Sequence, residues 1–139
     1  MVDLRVDLLE QPVPAGEDWA LDRFSSSIPI AADESIHTAS DLDDLANGYA
    51  VVNVKLDKAG GLTGALQLIE RARERELGIM IGCMVSSSLS IAPALALAAD
   101  SAFADLDGPL WLLEDRSGGV SCDRGMLHPP REGFWGAAN

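Results

Sequence analysis

Short apolar runs that stop on a polar or reactive side chain recur along this chain of 139 residues. Residues 4–9 run into Glu10, just before Pro12 and Pro14; residues 28–32 run into Asp33; Val51-Val52-Asn53-Val54 runs into Lys55; residues 79–82 run into Cys83; and residues 101–104 run into Asp105. Each run is too short and too continuously apolar for a surface helix, and fits a strand covered on both faces. The segments between them carry helical periods. Trp19, Leu21 and Phe24 predict a helix of one to two turns. Thr38 is placed to cap a helix bearing Ala39, Leu42, Leu45 and Ala46, ended by Gly48. After a Gly60-Gly61 turn, Thr63 opens a longer helix with Ala65, Leu66, Ile69, Ala72 and Leu77 on its apolar face, ended by Gly78. The alanine-rich residues 91–99 predict a closely packed helix with Pro93 in its first turn.

The closing side chains Glu10, Asp33, Lys55, Cys83 and Asp105 are 23, 22, 28 and 22 positions apart. Strands alternating with helices at that interval predict a parallel sheet, and polar side chains at every carboxyl end predict the mouth of a barrel. The fold class is therefore α/β, a partial TIM-like barrel over residues 1–109. After Pro109 the pattern dissolves. Residues 110–113 offer one more candidate strand, but Ser117-Gly118-Gly119, Gly125, Pro129-Pro130 and Gly133 break the remainder into turns. Residues 110–139 thus read as a tail that leaves the barrel, with Trp111, Phe134 and Trp135 covering its packing surface.

Composition narrows the chemistry. An apolar content of 47% is that of a globular chain, and a formal charge of −12 disfavours nucleic acid or an anionic membrane as partner. The one basic cluster, Arg71, Arg73 and Arg75, is interleaved with glutamates and predicts a solvated helix face with i,i+4 pairs. No apolar run approaches the roughly 18 residues of a membrane span, and the first residues lack a signal-peptide pattern, so a cytoplasmic location is the expectation. Cys83 and Cys122 have no metal-like spacing and are expected as reduced thiols, Cys83 as a small core side chain. His37 and His128 read as surface histidines, and Ser86 to Ser88 as a helix-capping turn.

Glu10 and Asp33, on adjacent strands pointing into one mouth, would repel each other unless a cation joins them, and single carboxylates with open positions suit magnesium. Lys55 on the next strand would face a substrate held there, and desolvation beside a cation can lower its pKa enough for it to act as a base. A cation with a lysine base implies removal of a proton from carbon beside a carboxylate, through an enediolate. Glu34 is an alternative ligand or a support for Asp33, and Lys58, beyond the strand end, is expected to support the site rather than act as its base.

The set Leu9-Glu10-Gln11-Pro12, Ala32-Asp33-Glu34-Ser35, Asn53-Val54-Lys55 with Gly60-Gly61, and Asp105-Leu106-Asp107-Gly108-Pro109 resembles the carboxyl-terminal half of the enolase superfamily. Within it, the muconate-lactonizing subgroup and its dipeptide epimerases are most similar. The resemblance implies strands four to eight of a (β/α)7β barrel, with Glu10 and Asp33 as magnesium ligands and Lys55 as one of two acid/base lysines. It further implies that Asp105 and Asp107 hold the α-ammonium group of a dipeptide undergoing 1,1-proton transfer, and that the tail returns to a capping domain. The family's capping domain, its opposite lysine and a further metal-binding aspartate have no counterpart here. The chain is therefore expected to be an incomplete fragment, or half of a complex needing another segment to cover its strand edges. The alternatives are a non-catalytic assembly remnant and another subgroup reaction, cycloisomerisation or dehydration.

Overall fold

A computed structural model describes residues 4–134; Trp135 lies outside them. Strands β1 (Leu9–Glu10), β2 (Ile30–Ala32), β3 (Val51–Lys55), β4 (Gly78–Gly82) and β5 (Phe103–Ala104) form one parallel sheet in the order of the chain. It curls as half of a barrel. The register sets Glu10 beside Ala31, Ala32 beside Val52, Lys55 beside Gly82, and Ile81 beside Ala104. Because every strand runs the same way, all five carboxyl ends open on one rim.

Side chains alternate between two faces. Ile30, Ala32, Val52, Val54, Ile79 and Ile81 lie on the outer face, in a core with Leu68, Ile69 and Ala72 of α2 (Leu62–Glu74) and Ile91 and Ala94 of α3 (Ser88–Ala98). Ala31, Val51 and Met80 pack on the inner face with Leu8 and Phe103. The outer core supplies most of the apolar burial, while the inner cluster floors the half-barrel.

Several elements differ from the expectation, each for a physical reason. The first strand pairs only at Leu9–Glu10. The Thr38 helix is a 3-10 helix, Ala39–Asp43, because Asp41 turns back onto the amides of His37 and Thr38 and tightens the turn. On α2, Leu68 is buried and Leu66 is half exposed, since the stripe facing the sheet is Ala65, Leu68, Ile69 and Ala72. Arg71 and Arg75 reach across to Asp43 rather than to glutamates of their own helix. α3 starts at Ser88, which places Pro93 inside it and not in its first turn; Asp115 of the tail accepts from the Ser88 amide, satisfying a helix-end donor that local sequence leaves open. Ser87 makes no side-chain cap.

Residues 110–113 do not form a strand. Pro109 and the bond from Leu110 N to Asp107 O, 2.8 Å, wind a 3-10 helix over Gly108–Trp111. The tail then forms an antiparallel hairpin of β6 (Ser121–Asp123) and β7 (Met126–His128). Between β3 and β4, the short α1 (Leu56–Ala59) precedes the Gly60-Gly61 turn. No helix among the described residues is long and apolar enough to cross a membrane.

Candidate active site

Alternation on the inner face carries the site. Continuing from Leu8, Ala31, Val51, Met80 and Phe103, the next positions on the same face are Glu10, Asp33, Asn53 with Lys55, Gly82 and Asp105. The polar residues picked from the strand ends thus share one face at one rim, and Cys83 falls on the opposite parity, half-buried against the outer core.

Asp33 is the centre. Its side chain is buried and accepts from Lys55 Nζ at 2.7 Å on Oδ2 and from Lys58 Nζ at 2.6 Å on Oδ1. Lys58 also donates to the carbonyls of Asp33 and Ile36, so α1 is stitched to the loop after β2. Burial pushes the Asp33 carboxyl up, but the two ammonium groups outweigh it and hold it below the usual carboxylate range. Burial likewise pulls Lys55 down, yet its bond to Asp33 and the charges of Asp33, Glu10 and Glu34 leave it above the usual lysine range. Around Lys55, then, desolvation is present, but three carboxylates outweigh it.

Glu10 lies exposed at the rim and accepts from Asn53 Nδ2 at 2.6 Å. Burial of its carboxyl raises the pKa, Asn53 opposes the rise, and nearby Asp33 adds to it. Asn53 is almost wholly buried, and its Oδ1 has no hydrogen-bond partner. Its amide occupies space that a side chain at position 82 would take: a Cβ on Gly82 would lie 2.4 Å from Asn53 Oδ1.

Gln11 ties the ends of β1 and β2 together. Its Oε1 accepts from the amides of Asp33, 2.7 Å, and Ser35, 3.2 Å, and its Nε2 donates to Ser35 Oγ and Tyr49 OH, each at 2.8 Å. The backbone at Gln11 has φ +36, a left-handed value that a non-glycine residue adopts only when its surroundings hold it there. Ser35 and Tyr49 both donate in turn to Asp18 Oδ1. Asn53 had a signal in sequence, being polar on the parity of Lys55 in an apolar strand. Gln11 and Ser35 stand within the motifs that carry the resemblance, but their joining with Tyr49 and Asp18 had no signal, because the chain brings the four together across as many as 38 positions.

On the far side of the mouth, Asp105 is exposed and its carboxylate has no partner among the described residues. Asp107 accepts from Trp111 Nε1 at 2.7 Å. Glu34 is exposed, and its charge bears on Lys55.

Glu10 and Asp33 are hard oxygen donors close enough to perturb each other, and magnesium is commonly held by one or two carboxylates with water and substrate completing the set. They fit that ion in kind. No group of three or more His, Cys, Asp or Glu side chains converges among the described residues.

Residues 1–133 match the family described as enolase C-terminal domain-like. The chain is 50% identical over 136 residues to an N-acetyl-D-glutamate racemase of a Pseudoalteromonas species, covering 98% of this chain and 43% of that protein. It is 48% identical over 128 residues to the L-Ala-D/L-Glu epimerase of Escherichia coli K12, covering 92% and 40%. Among solved structures, an enolase family member of Agrobacterium tumefaciens with homology to dipeptide epimerases, bound to sodium and L-Ala-L-Glu, superposes with TM-score 0.90 at 46% identity over 96% of this chain and 41% of that one. A dipeptide epimerase of Methylococcus capsulatus, complexed with magnesium and L-Arg-D-Lys, gives TM-score 0.83 at 35% identity over 96% and 40%. The chain spans about two fifths of the length of these relatives.

Proposed function

The chain belongs to the enolase C-terminal domain-like family, and from that membership we propose that it forms the part of a dipeptide epimerase that holds the cation and one acid/base lysine. The observation that carries this reading is the convergence of Glu10, Asp33 and Lys55 at the carboxyl rim of five parallel strands, with Asp105 following the last of them. Glu10 and Asp33 would hold magnesium, with Asn53 and Lys58 orienting them. When bound, the ion supplies positive charge to a substrate carboxylate, easing loss of the neighbouring α-proton.

Lys55 is the acid/base group. Its Nζ lies 2.7 Å from Asp33, so it is aimed along the inner face, where as a free amine it would take the α-proton and as an ammonium return one. Asp105 and Asp107, across the mouth, are acceptors for the ammonium group of a dipeptide. Glu34 and Lys58 act through their neighbours, Lys58 by fixing Asp33 and Glu34 by its charge on Lys55. A single lysine addresses one face of the α-carbon, so the described residues account for proton exchange on one face and not for inversion.

The test is wash-in of solvent deuterium at the α-carbon of the glutamyl residue of L-Ala-L-Glu and of L-Ala-D-Glu, followed by NMR with and without magnesium. Magnesium-dependent exchange of one epimer, lost by at least about a hundredfold in Lys55→Ala, is the expected result. Exchange that persists in that variant, or a chain that exchanges neither epimer, overturns the reading for this chain. A second reading, racemisation of an N-acylated amino acid, is favoured by the identity to the Pseudoalteromonas racemase. Exchange of N-acetyl-glutamate in preference to the dipeptide would select it.

A further inference from the structure

We propose that Trp111 is a positioning and specificity residue of the ammonium site: its indole N–H fixes one oxygen of Asp107 so that the other, with Asp105, is presented to the free amino end of a ligand. This rests on the dipeptide reading and sharpens it. Trp111 Nε1 donates to Asp107 Oδ2 at 2.7 Å, and Oδ1 has no partner among the described residues. Trp111 is 71% exposed, so the contact is not a by-product of core packing.

The turn beneath this contact is hydrogen-bonded and packed. The turn from Asp107 is closed by the bonds Leu110 N to Asp107 O, 2.8 Å, and Leu112 N to Pro109 O, 3.2 Å, which fold position 111 back over position 107. Gly108 and Pro109 are buried. A Cβ on Gly108 would lie 2.5 Å from the Met84 carbonyl oxygen and 3.2 Å from Cys83 Sγ, so the turn is pressed against the exit of β4, the neighbour of the Lys55 strand. Asp105 and Asp107 both bear electrostatically on Cys83, as does Lys55, which places the acidic pair and the lysine around the same strand end.

The arrangement discriminates by donor count and charge. An ammonium group offers three donors and a positive charge, and can bridge the free oxygen of Asp107 and the unpartnered carboxylate of Asp105. An N-acyl amide offers one donor and no charge, and would leave the carboxylate charges unpaired. Trp111 strengthens this difference because it prevents Asp107 from turning away to solvent.

The test is an NMR titration of the full chain with two probes, L-Ala-L-Glu and N-acetyl-L-glutamate, in the wild type and in Trp111→Phe, which keeps an exposed ring and removes only the donor. In the wild type, L-Ala-L-Glu is expected to shift the Trp111 indole N–H resonance and to bind more tightly than N-acetyl-L-glutamate. In the variant, affinity for L-Ala-L-Glu falls about tenfold, as for loss of a hydrogen bond to a charged group, while affinity for N-acetyl-L-glutamate stays within about twofold. Equal weakening of both probes, or of neither, overturns the role of Trp111 and leaves the dipeptide reading standing. A wild-type chain that prefers N-acetyl-L-glutamate, or binds neither probe, overturns both.

Discussion

At residue 82 the chain needs an absent side chain more than a present one. Asn53 reaches Glu10 only because its amide can lie over Gly82, so Gly82→Ala would force the amide aside and leave the buried Asn53 side chain mispaired. The expected loss is on the order of 1–3 kcal/mol, read as a lower urea midpoint with an unchanged slope. Tyr49 and Asp18 give a second prediction at this scale. Burial and the adjoining Asp18 carboxylate push the Tyr49 hydroxyl up to about 12. A group with a raised folded pKa contributes stability that is complete below its unfolded value, about 10, and is lost as the pH rises through about 12. For Asp18, burial raises the pKa but bonds from Ser35, Tyr49 and Gly16 outweigh it and hold the carboxyl low. Its contribution is complete above about pH 4 and is lost as the pH falls through the depressed value. Urea midpoints measured against pH should therefore lose part of their alkaline decline in Tyr49→Phe and part of their acid decline in Asp18→Asn.

Among the elements, α3 depends on a residue far from it in sequence. Its first residue, Ser88, is fully buried and gives its amide and hydroxyl to Asp115, while Ser88 Oγ accepts from Val120 N at 2.8 Å. One exposed carboxylate thus starts the helix and fastens the tail to the barrel. Asp115→Ala would strand the Ser88 donors in the interior and should cost about 1–3 kcal/mol, with amide hydrogen exchange accelerating at Ser88 and Val120 before the rest of α3. By contrast, Arg71 and Arg75 on Asp43 are surface pairs, and either arginine replaced by alanine should move stability by under about 1 kcal/mol.

Across the whole molecule, cohesion is uneven. β3 and β4 pair over five residues, whereas β1 and β5 pair over two each and among the described residues have a neighbour on one side only. Hydrogen exchange should accordingly be slowest at Val52, Val54, Ile79 and Ile81, with β1 and β5 opening at lower free energy than the sheet centre. Uniform protection across all five strands would show that something covers both edges, as open edges invite pairing with another segment.

Sequence alone determined the repeat and the rim on which its closing side chains fall. Runs closed by Glu10, Asp33, Lys55 and Asp105 are legible because a strand alternates its side chains and a βα unit has a nearly constant length, so position in the chain translates directly into face and rim. The same logic failed where structure is set by contacts distant in sequence. The early start of α3 and the hub at Gln11 depend on Asp115 and on Ser35 and Tyr49, none of which has a fixed offset. The tertiary structure also decided the state of the site itself. Periodicity places Asp33 beside Lys55, but only the packed loops show Lys58 sharing that carboxylate, Asn53 holding Glu10, and the charges of Glu10 and Glu34 bearing on Lys55. Backbone periodicity is local and survives in a sequence; which donor meets which acceptor depends on where several loops come to rest together.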